Sequence, residues 1–349
     1  MSVTFACPAP IGRHDRVVLG HGGGGRLSAE LVESVFVPAF RNDVLAALED
    51  QATLTLEPGV RVAVTTDAFV VEPIFFPGGD IGRLAVCGTV NNLVVGGAIA
   101  RFITAAFVIE EGMLVADLER IARSMRAACD EAGVSLVAGD TKVVERGKGD
   151  QVFITTTGLG TYPGMRRPLS VAAARPGDRV LVTGTLGDHG IAIHAARLGL
   201  AFETVLQSDV APIGKLAAAI LDACPDARCM RDPTRGGFAT TLNEIAAASR
   251  VGIVVTERDL PVQPEVANAC EMLGLDPAYL ANAGTIVAVV PAADAERVLA
   301  AVRALPRGRD AALVGEVVDT RAGTVAVRSN NGGERALPML AGEPLSRVC

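Results

Sequence analysis

The chain ends on Cys349, the last residue of the run Ser346-Arg347-Val348-Cys349. A thiol there suits group-transfer chemistry, because the thiolate is a strong nucleophile and forms covalent intermediates. The approach to it is loose: Ser329-Asn330-Asn331-Gly332-Gly333, then Pro338, Gly342 and Pro344, with little apolar periodicity. From Asn330 onward such a tail spans roughly 60 Å when fully extended, at about 3.3 Å per residue. It could carry a sulfur between a donor, a processing site and an acceptor. A prenyl anchor is excluded, since that signal needs cysteine four residues from the end.

Three other stretches have the makings of phosphate chemistry. In His21-Gly22-Gly23-Gly24-Gly25-Arg26, successive glycines let main-chain N–H groups turn toward one point, as in a phosphate cradle. The run lacks the Lys-Ser/Thr ending of a Walker loop. Asp67 closes a strand-like segment, and Asp140 stands two residues before Lys142 in Gly139-Asp140-Thr141-Lys142. Phosphates need Mg²⁺ held by one or two carboxylates with a cation nearby. Asp67 and Asp140 could supply the former and Lys142 the latter, although Asp140 and Lys142 also fit a plain surface ion pair. Arg235-Gly236-Gly237 opens a helix, where an anion binds well. The spacing of Gly184, Gly187 and Gly190 is not the dinucleotide fingerprint, and no acidic residue closes a second strand about 20 residues on.

The elements that must position these groups alternate along the chain. Val60, Val62 and Val64 mark a strand ending at Asp67, by period-two alternation. A helix capped by Ser28 is predicted to bury Leu31, Val32, Val35 and Phe36. A small-residue helix over 81–98 holds Gly88-Thr89-Val90-Asn91-Asn92. Strands are expected over 102–109, 134–137 and 151–159, with an amphipathic helix over 114–132. A second series begins at Arg175-Pro176-Gly177-Asp178 and again alternates strand with helix. Two α/β units of similar size follow.

Composition narrows the function classes. With 349 residues there is chain enough for two cores. Net charge is −7 and no basic block occurs, so nucleic acid is not an expected partner. No apolar run has the length of a membrane span, and Met1-Ser2-Val3-Thr4-Phe5 does not open a secretion signal. The seven cysteines are scattered and odd in number, without zinc or disulfide spacing. A reduced, cytoplasmic protein is expected.

Taken together, these stretches resemble the HypE family of hydrogenase maturation proteins, within the aminoimidazole-ribonucleotide synthetase and selenophosphate synthetase superfamily. The likeness is carried by residues 21–25, 65–67, 75–79, 87–91, 107–112, 139–147, 184–190 and 231–237 and by Arg347-Val348-Cys349. It implies an α/β (α+β) fold of two domains, with N-terminal domains pairing into a dimeric β-barrel. Residues 1–165 would be the ATP-binding and dimerisation domain, 175–329 a C-terminal α/β domain, and 330–349 a flexible tail.

The resemblance also implies an activity. Cys349 would receive a carbamoyl group from the carbamoyltransferase HypF, and ATP with Mg²⁺ would dehydrate the thiocarboxamide to a thiocyanate. The cyano group would pass to iron held by a HypC–HypD complex and become a ligand of [NiFe]-hydrogenase. His21 through Gly25, Asn91, Asn92 and Arg235 would contact ATP; Asp67, Asp140 and, more weakly, Asn92 would hold Mg²⁺. Lys142 would meet the reacting group as cation or base, and Arg347 would offset the terminal carboxylate beside the thiol.

Three residues depart from the family pattern. Asn92 replaces a usual Asp and Ala283 a usual Glu, and, as a smaller matter, Ser346 replaces a usual Pro. The first loses a charge for Mg²⁺ and the second a proton acceptor. The alternative is therefore a catalytically impaired carrier that presents Cys349 to partners. A small-molecule kinase or synthetase like the superfamily relatives would instead leave the tail dispensable.

Overall fold

The computed structural model describes residues 17–23, 25–40, 42–57, 60–164, 167–200, 206–329, 331–340, 345 and 347–349. Gly24 and Ser346 lie outside the described residues. The first unit is built on a five-stranded sheet of order β1-β2-β7-β5-β6. Its strands are β1 (Ala52–Glu57), β2 (Val60–Phe69), β5 (Ile99–Glu110), β6 (Ser135–Val144) and β7 (Val152–Thr161). Two short strands, β3 (Phe75–Phe76) and β4 (Gly79–Asp80), pair as a separate hairpin. All neighbours in the sheet are antiparallel except β5 and β6.

Alternation sets the two faces. Ala63, Phe69, Ile103, Ala105 and Ile154 are buried on one of them, beneath helix α3 (Ile81–Val95). The Asp80 carboxylate caps α3 by accepting the N–H groups of Gly82 and Arg83 at 2.8 and 3.0 Å. Gly158 lets the helix approach, because a Cβ there would lie 2.7 Å from Thr89 and 2.9 Å from Leu93. α3 stops at Val95, short of the expected residue 98, where Gly97 turns the chain at φ +86°. Outside it lies α4 (Val115–Ala132), which buries Ile121 and Met125, worth about 1.5–3 kcal/mol each.

Two expectations need correction. The helical stretch after the glycine run is composite: α1 (Arg26–Leu31), a π turn over Val32–Phe36, and α2 (Val37–Phe40). Gly25, not Ser28, is its N-cap, and Val35 and Phe36 are exposed among the described residues. In addition, Asp67 and the segment 139–142 lie inside strands rather than at strand ends, because β5 and β7 continue the ladder alongside them.

The second unit carries a seven-stranded sheet of order β14-β13-β10-β12-β8-β11-β9. Its strands are β8 (Arg179–Val182), β9 (Cys229–Arg231), β10 (Gly252–Thr256), β11 (Val287–Val290), β12 (Ala312–Val318), β13 (Thr324–Arg328) and β14 (Glu334–Ala336). Helices α5 (Asp188–Arg197), α6 (Gly214–Ala223), α7 (Gly237–Ser249), α8 (Pro264–Leu273) and α9 (Ala295–Arg303) accompany it. Phe238 on α7 is fully buried in one core cluster with Ile253, Val255 and Val289 of the sheet. That contact sets the start of α7, and with it the glycines and arginine just before the helix.

Candidate active site

One cavity, of about 40 Å³, brings together Asp67, Asn91, Asn92, Asp232, Arg235, Ala283 and Cys349. Asp67 reaches it from β2, Asn91 and Asn92 from α3, and Asp232 and Arg235 from the segment that leads β9 into α7. Asn92 donates its amide to an Asp67 carboxylate oxygen at 2.7 Å, and the Thr89 hydroxyl donates to the same oxygen at 3.3 Å. Burial pushes the Asp67 carboxyl up, against the pull of the Arg235 guanidinium and those two hydrogen bonds. Burial likewise pushes Asp232 up to about 6, with Arg231 opposing and Asp67 adding to the rise. Arg235 acts on both acids, while Arg231, which also acts on Asp232, is itself paired with Asp50 and Glu244, so the two buried acids would gain from a further cation. Their hard oxygens suit Mg²⁺.

Asp232 is not singled out by sequence reasoning, although it lies in the same stretch as Arg235. Asn91 also lines the cavity, but its polar atoms are engaged elsewhere. Its amide donates to the carbonyls of Ala211 and Ala283 at 3.0 and 3.3 Å, and its oxygen accepts the N–H of Ile213 at 3.0 Å. Both polar ends are thus occupied in joining the two units, which leaves Asn92 to face Asp67. Asp209 fixes the opposite wall by accepting from the N–H groups of Ala283 and Gly284 at 2.9 and 3.0 Å. At position 283 only a methyl group meets the cavity.

The end of the tail is docked here. Val348 pairs with Val71 as an antiparallel bridge, and its carbonyl lies 2.6 Å from His189 Nε2. Val348 and Leu345 are buried, while Cys349 is half-buried. Arg347 does not serve the thiol as expected: its guanidinium pairs with Glu72 and, at 2.5 Å, with Asp150. Of the glycine run, Gly23 lines a small adjoining cavity with Arg235, Leu345 and Val348. Beside Gly25, the N–H of Arg26 donates to the carbonyl of Leu340 at 2.9 Å. The His21 ring instead accepts the N–H of Val18 at 3.0 Å.

Asp140 and Lys142 are not brought to this cavity within the chain. Asp67 pairs with Thr156, Thr156 with Ala105, and Ala105 with Gly139. Asp140, one residue on, therefore lies on the other face of the sheet. It is also three strand steps away, about 14 Å. There it pairs with Lys142 at 3.1 Å, and both side chains are well exposed.

Family models for the N-terminal and C-terminal domains of AIR synthase related proteins match residues 48–162 and 175–328. A carbamoyl dehydratase HypE from Cupriavidus necator is 50% identical over 334 residues, spanning 96% of this chain and 95% of that protein. The chain belongs to the HypE family. A crystal structure of a HypE–HypF complex matches with a TM-score of 0.84 at 46% identity, covering 89% of this chain and 99% of that one. A HypE crystal structure in complex with ATP matches at 0.80 and 44% identity, covering 96% and 100%. In this HypE-family chain the terminal thiol thus shares a cavity with the Asp67–Asp232 acid pair.

Proposed function

We propose that the chain is an ATP-dependent carbamoyl dehydratase that converts an S-carbamoyl group on its own Cys349 into a thiocyanate. The observation that carries this reading is the placement of the terminal residue in one cavity with Asp67, Asp232 and Arg235. Amide oxygen is a poor leaving group. Transfer of the γ-phosphoryl group to it releases ADP and one N–H proton; departure of phosphate with the second proton then leaves the nitrile. The first proton passes to a base that Asp232, as a candidate Mg²⁺ ligand, is not required to be. Arg235 is suited to meet phosphate charge. Asp67 and Asp232, helped by the Asn92 carbonyl, would hold Mg²⁺, which would supply charge neutralisation of the triphosphate.

The cavity around the docked thiol holds about three waters at most. A triphosphate can enter only if the tail or the glycine run gives way, so a tail that moves is part of the reading. HypF as the carbamoyl donor is supported by the complex formed by a relative. A HypC–HypD complex would be the acceptor. No helix among the described residues is long and apolar enough to cross a membrane.

A homodimer is supported by the outer sheet face, where Val60, Phe102 and Leu159 are exposed. A second copy packed there would close a barrel and bury them. Asp140 and Lys142 lie on that face, and we assign their metal and phosphate contacts to the partner copy's cavity. Mixing Lys142→Ala with Asp67→Ala subunits should then restore part of the activity that each lacks. A mixture as inactive as its parts would remove this assignment.

The test of the main reading is nucleotide turnover. ADP should form only after Cys349 has been carbamoylated, and Cys349→Ser should abolish that turnover; turnover indifferent to Cys349 would contradict the reading and favour a kinase of small molecules. A second reading, a carrier without turnover, is favoured by Asn92 and Ala283, which both line the cavity. It predicts partner binding with no ADP formed, and activity gained in Asn92→Asp/Ala283→Glu.

A further inference from the structure

The stretch from Gly184 to Gly190 carries no part of the chemistry above, yet it places a fully buried imidazole, His189, against the tail. Val348 O can only accept, so the 2.6 Å contact requires the proton on Nε2. The other nitrogen, Nδ1, lies 2.7 Å from the Ser208 hydroxyl. Ser208 Oγ in turn accepts the N–H of Val210 at 3.1 Å, so its own proton is available to Nδ1. One tautomer satisfies every group. Burial lowers the pKa of His189, with the Asp209 carboxylate opposing, which agrees with a neutral ring. The Phe76 ring meets the imidazole edge-on at 5.6 Å and helps to fix its plane.

A second donor acts one residue earlier. Arg197 Nη2 donates to the carbonyl of Arg347 at 2.7 Å and to that of Glu72 at 2.8 Å. The Glu72 N–H also reaches the Arg347 carbonyl, at 3.2 Å. Two successive carbonyls of the tail are therefore held by groups of the body, and both contacts are made to main chain.

We infer that His189 is a positioning residue that docks the C-terminal segment through the Val348 carbonyl, with Ser208 setting its tautomer and Arg197 holding the next carbonyl. Because the dock grips main chain, it fixes where the last residue sits without reading what its side chain carries. The same seat accepts a free thiol, a carbamoyl group or a thiocyanate. That purpose rests on the dehydratase reading; the docking itself does not. Every one of these contacts is non-covalent, so the segment can also leave to meet a partner.

The test is the rate at which iodoacetamide alkylates Cys349 in the full-length protein without nucleotide or partner, read by mass spectrometry of the C-terminal peptide. His189→Leu should alkylate roughly tenfold faster than the parent, the effect of one lost buried hydrogen bond. His189→Gln, which keeps a donor near Nε2, should return to within about twofold. Ser208→Ala should be faster by several-fold and serves as the deciding variant if His189→Leu does not fold. A folded His189→Leu, or in its place Ser208→Ala, that alkylates at the parent rate overturns the inference, as does a His189→Gln as fast as the leucine variant. The assay contains no ATP, so an inactive protein that still shows these rates would count against the dehydratase reading alone.

Discussion

Asn92 donates its amide to Asp67 at 2.7 Å, across the gap where a second carboxylate would demand a cation. The bond lets Asp67 stay buried without metal. Asn92→Asp replaces it with two like charges, which costs about 1–3 kcal/mol in the absence of metal. Thermal melting should show a less stable variant without Mg²⁺ and a marked rise with Mg²⁺, larger than the parent's, as binding stabilises the folded state. Equal Mg²⁺ responses would remove Asn92 from the metal site.

Asn91, next to it on α3, does a different job. Its three hydrogen bonds to Ala211, Ala283 and Ile213 join helix to facing unit while 1% exposed. Asn91→Ala should lose about 2–4 kcal/mol by denaturant unfolding, since it strands buried main-chain groups. Unchanged stability with weakened nucleotide binding would return Asn91 to the nucleotide.

Much of the site was legible because its residues are chemically unusual where they stand. Cys349 at a chain end, Asp67 after a valine ladder and Arg235 before paired glycines each announce themselves, and the structure gathers these three. Asp140 and Lys142 show the limit. Spacing set them just past a strand over 134–137, whereas they lie within β6, and one residue of register decides which face a side chain takes. Asn91 and Asn92 are adjacent in sequence, yet a helix turns them to different neighbours. His189 could not be read at all, because its partner Val348 stands 159 residues away. In the fold, β7 and α4 followed their periodicity, while β6 is exposed along nearly its whole length. The segment after the glycine run did not follow its periodicity: Leu27 is buried, but Val35 and Phe36 are exposed among the described residues.

Asp188 offers a pH test away from the chemistry. It is 4% exposed, accepts a hydrogen bond from Thr185, and burial pushes its carboxyl up to about 7. Between pH ~4 and ~7 the folded protein keeps a proton that the unfolded chain has released, so stability falls as pH rises through that window. The span corresponds to at most about 4 kcal/mol. Asp188→Asn should remove this slope in denaturant unfolding measured across the window. A slope unchanged in the variant would assign it to other groups.

The central claim is that ATP chemistry occurs on the terminal sulfur. The direct measurement is the mass of the C-terminal peptide after Cys349 has been carbamoylated and then exposed to ATP and Mg²⁺. The account predicts loss of the mass of one water, matched by one ADP formed and absent when ATP is withheld. A carbamoylated peptide that keeps its mass in the presence of ATP would contradict it.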